Sequence, residues 1–163
     1  MTADPAQTAS SVIRRAGASD AARLAPLFED YCRFYEQCHD LAHARQFVSD
    51  RLSNREAVVF LAFADGASVD DDAPVGFALL YPKFSSTSLR RDWLLNDLFV
   101  DPDHRRRGHA KALLDAASEF ARTTGAYKLQ LKTQHTNSSA RTLYESTGWK
   151  PDERFLTYAL TLR

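Results

Sequence analysis

Three consecutive arginines, Arg105, Arg106 and Arg107, stand directly before Gly108, where the sequence predicts the start of a helix. The first turn of a helix carries unpaired N–H groups and a partial positive charge, so it binds anions. Gly108 has no Cβ to keep a ligand from the backbone, and guanidinium groups offer paired donors for phosphate oxygens. The residues alone leave two alternatives, a pyrophosphate-binding turn or a solvated basic turn. The segment matches neither the GxxxxGK[ST] phosphate loop nor the dinucleotide-binding GxGxxG pattern.

A second candidate for chemistry lies further along the chain, where Asn137 and Tyr144 are seven residues apart on another predicted helix. Seven residues are about two helical turns, so both side chains are expected on one face. A positioned phenol can donate a proton to a leaving group on which negative charge builds. The alternative is that Tyr144 is an aromatic residue of the core, beside Leu143, Gly148 and Trp149.

Hydrophobic periodicity and turn residues predict the elements that must position these side chains. Strands are predicted at Val12–Arg15, Ala57–Ala64, Pro74–Pro82, Leu89–Val100, Ala126–Gln134 and Phe155–Leu162. Helices are predicted from near Asp20 to Tyr35, and at Ala42–Ser53, Gly108–Thr124 and Asn137–Ser146. This order indicates an α/β or α+β fold with a mixed sheet. We expect one domain over residues 11–163, after a flexible lead at residues 1–10.

The composition argues against several classes of protein. Twenty-one basic residues balance twenty-one acidic ones in a chain of 163, which disfavours a nucleic-acid-binding protein. No apolar run approaches the roughly 20 residues of a membrane span, and the first residues lack the features of a secretory signal. Cys32 and Cys38 have neither metal-binding nor redox spacing. We therefore expect reduced cysteines and a cytoplasmic protein.

The pattern Val100-x4-Arg105-x-x-Gly108-x-Ala110 resembles the Arg/Gln-x-x-Gly-x-Gly/Ala signature of the GNAT N-acetyltransferases. The stretches LNDLFVDPDHRRRGHAKALL and NSSARTLYESTGW stand around it at the spacing of that family. The resemblance runs from about residue 12 to residue 162 and is strongest over residues 93–149. YPKFSSTSLRRDWLLNDLFV further resembles a subgroup that includes the yeast histone/polyamine acetyltransferases. The resemblance implies the GNAT fold, with a largely antiparallel mixed sheet of six to seven strands and about four helices.

The resemblance also implies the cofactor and the residues that hold it. The family uses acetyl-CoA as co-substrate and needs no metal. Its pyrophosphate would lie on the turn, its pantetheine arm would pair with the end of a strand, and an asparagine would contact that arm. By position these residues are Leu98, Phe99, Val100, Arg105, Arg106, Arg107, Gly108, His109, Ala110, Lys111 and Asn137. The side chain of His109 is expected to face solvent, with only its backbone used.

For catalysis, the resemblance assigns Tyr144 as the general acid that protonates the leaving thiolate. The general base is less clearly marked, because several family members carry a glutamate where this chain has Asn96. An amide cannot act as a base. Asp97 follows, but adjacent strand residues point to opposite sides, so Asp97 would face away if Asn96 faced the acceptor. The alternatives are deprotonation by Asp97 or through ordered water.

The function implied is an acyltransferase that moves the acetyl group of acetyl-CoA to a primary amine by direct attack in a ternary complex. A small-molecule amine or polyamine is the expected acceptor, and a protein or peptide amine is possible. The alternative is a CoA-binding regulatory module that has the same fold without turnover. A third class, nucleic-acid binding by the three arginines, is disfavoured by the charge balance and the absence of a basic stripe.

The sequence contains no clear motif for recognition of the acceptor amine. Aromatic and acidic side chains between residues 28 and 47 would suit a cationic amine, and they equally suit a helix that packs on the sheet: Tyr31, Phe34, Tyr35, Glu36 and Asp40. Residues 83–88 are expected to form a flexible loop at the mouth of the cleft. The subgroup tends to associate, and the last predicted strand offers apolar residues at an edge, so a homodimer is expected.

Overall fold

The computed structural model describes residues 11–37 and 40–162. The predicted lead at residues 1–10 and Cys38 lie outside the described residues. The chain divides into two compact units, Met1–Lys132 and Thr133–Arg163, and each is described by itself. None of the helices in the described part of the chain is long and apolar enough to cross a membrane.

The first unit contains five strands and three α-helices among its described residues. The strands are β1 (Val12–Arg15), β2 (Val58–Phe63), β3 (Gly76–Ser85), β4 (Arg90–Val100) and β5 (Leu129–Leu131). The helices are α1 (Ala21–Phe34), α2 (Leu41–Ser53) and α3 (His109–Thr123), with short 3-10 turns at Ala18–Asp20 and Pro102–His104. The second unit contains α4 (Ser138–Ser146).

The strands form one mixed sheet in the order β1-β2-β3-β4-β5. The first three neighbouring pairs are antiparallel, and β5 runs parallel to β4. This confirms the mixed, largely antiparallel sheet expected from the sequence. The β3–β4 hairpin is longer than expected, because β3 continues to Ser85. Lys83 and its neighbours are therefore strand residues, and the connecting loop is only residues 86–89.

The described sheet has five strands rather than the six to seven expected. The segment from Phe155 to Leu162, predicted as the last strand, has no regular secondary structure. Its alternating apolar side chains are exposed, with Leu156 at 80% and Tyr158 at 88%. A period-two pattern becomes a strand only when a neighbouring strand takes up its backbone hydrogen bonds. The pattern alone does not supply that neighbour.

The core of the first unit covers both faces of the sheet. Helices α1 and α2 pack on one face through buried residues that include Leu24, Phe28 and Val48. Helix α3 lies on the other face, where the ring of Phe120 is 5.0 Å from that of Trp93. Hydrophobic burial of this kind is the main force that holds such layers together. These two layers fix both ends of β4, which carries the residues of interest.

Candidate active site

A sharp turn joins β4 to α3 and contains the predicted anion site. Arg106 has φ +61° and Gly108 has φ +88°, both in the left-handed region. Gly108 is the N-cap of α3, and a Cβ built on it would meet no atom within 4 Å. The glycine is therefore required by the backbone conformation and not by crowding within the chain. The space above it is open to a ligand.

The start of α3 offers backbone donors to that space. Gly108 has no side chain to cap the helix, and the first intrahelical bond recorded is from the N–H of Ala112 to the carbonyl of Gly108, at 3.0 Å. The N–H groups of His109, Ala110 and Lys111 precede that bond, so the helix itself supplies them with no acceptor. Together with the helix dipole, they can bind an anion such as a pyrophosphate.

The three arginines of the turn have different environments. The Nε of Arg105 donates to the carbonyl of Val100 at 2.9 Å, and its guanidinium lies over the rings of Phe34 and Phe99. All three arginines are exposed, but among them these contacts are recorded for Arg105 alone in the described part of the chain. The side chain of Arg105 therefore fastens the turn to the protein, while the other two are accessible to a phosphate group.

The expectation that His109 faces solvent is wrong. Its side chain is only 3% exposed, and its Nδ1 lies 2.8 Å from the Oγ of Ser11. Burial lowers the pKa of His109 below its ordinary value. The reason is the register of α3, because His109 begins the same buried stripe as Leu113 and Ala117, at intervals of four residues.

The end of β4 has an open edge where the pantetheine arm was expected. Strand β5 pairs with β4 only from Trp93 to Leu95, opposite Leu129 to Leu131. Beyond that point the described strands leave β4 paired on one side only, by β3. Residues 98–100 thus present an edge to which an extended ligand can add as a strand does. The carbonyl of Val100 is already bonded to Arg105.

A β-bulge at Asn96 changes which way the rest of β4 points. Asp97 is opposite Leu79 and Leu95 is opposite Leu80, so Asn96 is the extra residue. Residues 93 and 99 would share a face in a regular strand. Instead Trp93 contacts Phe120 on the α3 side, and Phe99 contacts aromatic residues of α1.

The bulge brings the two candidate residues of β4 together. The Nδ2 of Asn96 donates to the Oδ1 of Asp97 at 3.0 Å. The prediction that the two side chains point to opposite sides is therefore wrong, because period-two alternation fails at a bulge. The hydroxyl of Tyr31, on α1, donates to the same Oδ1 at 2.5 Å. Asp97 thus faces α1 and holds two donors on one oxygen.

The surroundings of Asp97 make it an unusual carboxyl group. It is only 7% exposed, and this burial raises its pKa, while the hydrogen bonds from Tyr31 and Asn96 act in the opposite direction. The pKa of Tyr31 is raised far above its ordinary value, first by burial and then by its bond to Asp97. Burial, with the charge of Asp97, also raises the pKa of Cys32 and of Tyr81. A desolvated carboxyl of this kind is better suited to accept a proton than an exposed one.

The aromatic residues near the end of α1 pack on the sheet, as one of the two alternatives requires, and they also leave ring surface exposed. The ring of Tyr31 packs on the sheet, 5.6 Å from Phe77 and 5.7 Å from Phe99. Phe34 and Tyr35 are 55% and 40% exposed. Tyr31 is partly buried against the core and also carries a polar group, and Phe34 and Tyr35 offer an apolar surface beside it. Glu36 has φ +57°, and Asp40 caps α2 by accepting from the N–H of His43.

The second unit contains the other predicted pair. Asn137 is the N-cap of α4, and its Oδ1 accepts from the N–H of Ala140 at 3.1 Å. Tyr144 is half-buried on the same helix, and its ring centroid lies 6.0 Å from that of Trp149. The helix bounds agree with the prediction to within one residue. Packing on Trp149 is the contact expected of an aromatic core residue. It does not decide whether the Tyr144 hydroxyl acts as a general acid.

The sequence marks Tyr31 as one of several aromatic residues that could meet an amine or pack on the sheet, but it does not predict the contact of Tyr31 with Asp97. Tyr31 belongs to an aromatic stripe at helical spacing, and such a stripe predicts packing but not a hydrogen-bond partner in a distant strand. Only the fold brings Tyr31 to Asp97, 66 residues away.

Comparisons with known proteins agree with this geometry. The model of the Acetyltransferase (GNAT) family matches residues 24–149. The uncharacterized N-acetyltransferase YhfO of Bacillus subtilis (strain 168) is 45% identical over 150 residues, which cover 92% of this chain and 97% of YhfO. The crystal structure of a probable acetyltransferase has a TM-score of 0.86 at 38% identity, covering 93% of this chain and 98% of that one. The ribosomal-protein-alanine N-acetyltransferase of Brucella melitensis biovar Abortus 2308 has a TM-score of 0.76 at 25% identity, covering 94% and 100%. The chain therefore belongs to the GNAT family of acetyltransferases and has the GNAT fold.

Proposed function

We propose that this acyltransferase moves the acetyl group of acetyl-CoA to a primary amine, by direct attack of the amine in a ternary complex. The observation that carries the proposal is the start of α3, where Gly108 at φ +88° leaves open space above a row of backbone donors. The GNAT family to which the chain belongs uses acetyl-CoA as co-substrate. A pyrophosphate is the part of that molecule that such a turn would recognise.

The residues at the turn and along β4 fit this co-substrate. The amides of residues 106–111 would hold the pyrophosphate, and the exposed Arg106 and Arg107 would add positive charge. The open edge at residues 98–100 would pair with the pantetheine arm. Asn137 is proposed as a further contact, through the amide nitrogen that capping leaves available. When bound, the co-substrate supplies a thioester carbonyl for attack.

Two side chains are proposed to move the protons. The acceptor is mostly an ammonium at neutral pH, so it must lose a proton before its nitrogen can attack. Asp97 would take that proton and become a neutral carboxylic acid. The amine lone pair then forms the new C–N bond as the C–S bond breaks, and Tyr144 would donate its phenolic proton to the departing sulfur. The nitrogen loses its second proton to solvent as the amide forms, Tyr144 regains a proton from solvent, and Asp97 releases the proton it took. The products are the amide, the free thiol and one net proton, and the carboxylate and the phenol are restored.

A small-molecule amine or a polyamine is proposed as the acceptor. The buried carboxyl of Asp97 and the partly exposed rings of Phe34 and Tyr35 support a cationic amine of modest size. The ribosomal-protein-alanine N-acetyltransferase acts, by its name, on a protein amine, so peptide N-termini are the competing acceptor class.

A homodimer in the cytoplasm completes the proposal. The exposed apolar side chains of residues 155–162 support association, because covering such side chains with another surface lowers the free energy of the system. The free thiol of Cys32 supports the proposed location, because a free thiol suits a reducing compartment. Sedimentation velocity over a range of concentrations tests the dimer, and a clean monomer at the highest concentration would exclude it.

The proposed function is tested by measuring thiol release from acetyl-CoA against a panel of amines. The panel covers polyamines, aminoglycosides, amino acids and short peptides with free N-termini. We expect one class to be acetylated well above the background of hydrolysis, with the product mass raised by one acetyl group. Acetyl-CoA binding without turnover on any amine would instead favour the regulatory module, and absence of binding would contradict both.

A further inference from the structure

We propose that Tyr31 is a positioning residue of the acceptor site: its hydroxyl locks one oxygen of Asp97, so that the other oxygen is the one that meets the amine. The inference rests on the proposed function, since it concerns the group that takes the acceptor's proton. Nothing in the family signature or the sequence spacing marks Tyr31 for this role. It follows from a contact between α1 and the bulge in β4.

The contact is specific in its atoms. The hydroxyl of Tyr31 and the Nδ2 of Asn96 both donate to Oδ1 of Asp97, at 2.5 Å and 3.0 Å. Among the described residues, no hydrogen bond is recorded to Oδ2. Two donors on one oxygen fix the plane of the carboxyl group, and a proton arriving from an amine would have Oδ2 as its acceptor.

The Tyr31 ring is held by rings on two sides, so the hydroxyl has little freedom to leave Asp97. Its centroid lies 5.6 Å from that of Phe77 and 5.7 Å from that of Phe99, both in edge-on geometry. Phe28 and Tyr35, from the same helix, lie 5.8 Å and 5.2 Å away. Such a packed ring supports a polar group at a defined place, which is what a proton-transfer site needs.

The electrostatics give Tyr31 a second effect on Asp97. Burial raises the pKa of Asp97, and the hydrogen bond from Tyr31 partly offsets that rise by stabilising the carboxylate. Tyr31 and Asn96 donate hydrogen bonds to Asp97, and its charge also acts on Cys32 from α1 and Tyr81 from β3. The raised pKa of Tyr31 keeps its phenol protonated, so it remains a donor at neutral and moderately alkaline pH.

The first test measures the carboxyl group directly and needs no acceptor. Carbon-13 NMR of aspartate-labelled protein, with the Asp97 signal assigned through Asp97→Asn, gives the pKa of Asp97. We expect Tyr31→Phe to raise that pKa, because a hydrogen bond to the charged form of Asp97 is lost. The carboxylate should then bind its proton roughly tenfold more strongly. The matched control is Tyr81→Phe, because Tyr81 is also partly buried and interacts with the charge of Asp97, but no hydrogen bond between the two is recorded among the described residues. An unchanged pKa in Tyr31→Phe, or an equal rise in the control, overturns the inference.

The second test is the pH profile of kcat/KM with the best amine of the panel. We expect the acidic limb to move to higher pH in Tyr31→Phe, so that the rate falls roughly tenfold at the acidic end and recovers in part at alkaline pH. Because the acetyl-CoA turn is untouched, the KM for acetyl-CoA should remain near normal. A loss of equal size at every pH would indicate a merely structural role and overturn the inference. Absence of turnover in the wild-type protein would count against the proposed function instead, and the NMR result would still decide the role of Tyr31.

Discussion

The guanidinium of Arg105 lies over the ring of Phe34, with the Cζ atom 5.6 Å from the ring centroid. It lies at the same distance from the ring of Phe99, and its Nε donates to the carbonyl of Val100. A residue of the phosphate-binding signature is thus joined to the end of α1 and to β4. The side chain of Arg105 therefore holds the turn against the end of α1 and the end of β4.

Replacing Arg105 with lysine tests this fastening. Lysine keeps the charge but loses the Nε donor and the flat guanidinium that stacks on rings. We expect Arg105→Lys to lower the free energy of unfolding by about 1 kcal/mol, from the combined loss of a hydrogen bond and of the stacking. Denaturant unfolding measures the change. Arg107→Lys is the control, because Arg107 is exposed like Arg105 but lacks, in the described part of the chain, the hydrogen bond and ring contacts of Arg105. Equal stability of the two variants would contradict the role given to Arg105.

Gly108→Glu is expected to abolish acetyl-CoA binding. The substitution places bulk and negative charge where the pyrophosphate would lie, and it strains a backbone held at φ +88°. Isothermal titration calorimetry measures the affinity, with Gly108→Ala separating the strain from the charge. We expect the alanine variant to bind more weakly than the wild type and the glutamate variant not at all.

The control for Gly108→Glu lies at the other end of the same helix. Gly125 follows α3 with φ +69°, and a Cβ built on it also meets no atom within 4 Å. Gly125→Glu therefore carries a similar strain and the same charge away from the turn. We expect it to keep acetyl-CoA affinity within about twofold, on the standing approximation that distant sites act independently. A folded Gly108→Glu variant with normal affinity would remove the turn as the phosphate site.

Asp97→Asn is expected to abolish turnover and to stabilise the protein at neutral pH. Because the pKa of Asp97 is raised in the folded state, stability falls as pH rises from the ordinary aspartate pKa through the raised one. Above that window the buried charge remains a constant cost. Removing the charge should raise the free energy of unfolding by roughly 0.5–2 kcal/mol, a usual gain when a functional residue is replaced.

The pH dependence of this stability gain tests whether the buried charge of Asp97 is its cause. The stability gain of Asp97→Asn should disappear below about pH 3, well under the ordinary aspartate pKa, where the wild-type carboxyl is protonated in both states. Urea unfolding at neutral pH and at that acidic pH measures it. Exposed Asp115, replaced by asparagine, provides the control and should show no such pH-dependent gain. A gain that is equal at both pH values would mean that the charge is not its cause.

The local signals in the sequence were sufficient for much of the fold. Gly108 stands at the start of α3, Gly125 stands just after its end, and Gly148 follows α4. Each of the three has the positive φ that glycine permits. The features that the sequence could not predict depend on contacts between residues that are far apart in the chain. The bulge at Asn96 requires a register with β3, and the bond between Tyr31 and Asp97 requires α1 to pack on that bulge.

Two further differences have the same physical origin. His109 stands just after the three arginines and Gly108, which suggests a solvated turn, yet the stripe that α3 buries starts at that residue. The alternating pattern of residues 155–162 predicts a strand, but a strand exists only through its neighbour, and periodicity does not say whether one is present. Helix ends and turns can therefore be predicted from the local sequence of this chain. Which side chains contact each other is determined by the tertiary structure.

Tyr144→Phe is expected to slow acetyl transfer while acetyl-CoA affinity stays near normal. The substitution removes only the hydroxyl and keeps the ring that packs on Trp149, so the second unit should retain its structure. General-acid assistance typically contributes about 10²–10⁴-fold, and the rate should fall within that range if departure of the thiolate limits it. Slow product release would mask the effect in steady state, so the measurement is a single-turnover quench at several pH values. Tyr127→Phe, at an exposed tyrosine, is the matched control and should react like the wild type. A wild-type single-turnover rate in Tyr144→Phe would mean that the ring is a packing residue and that another group protonates the sulfur.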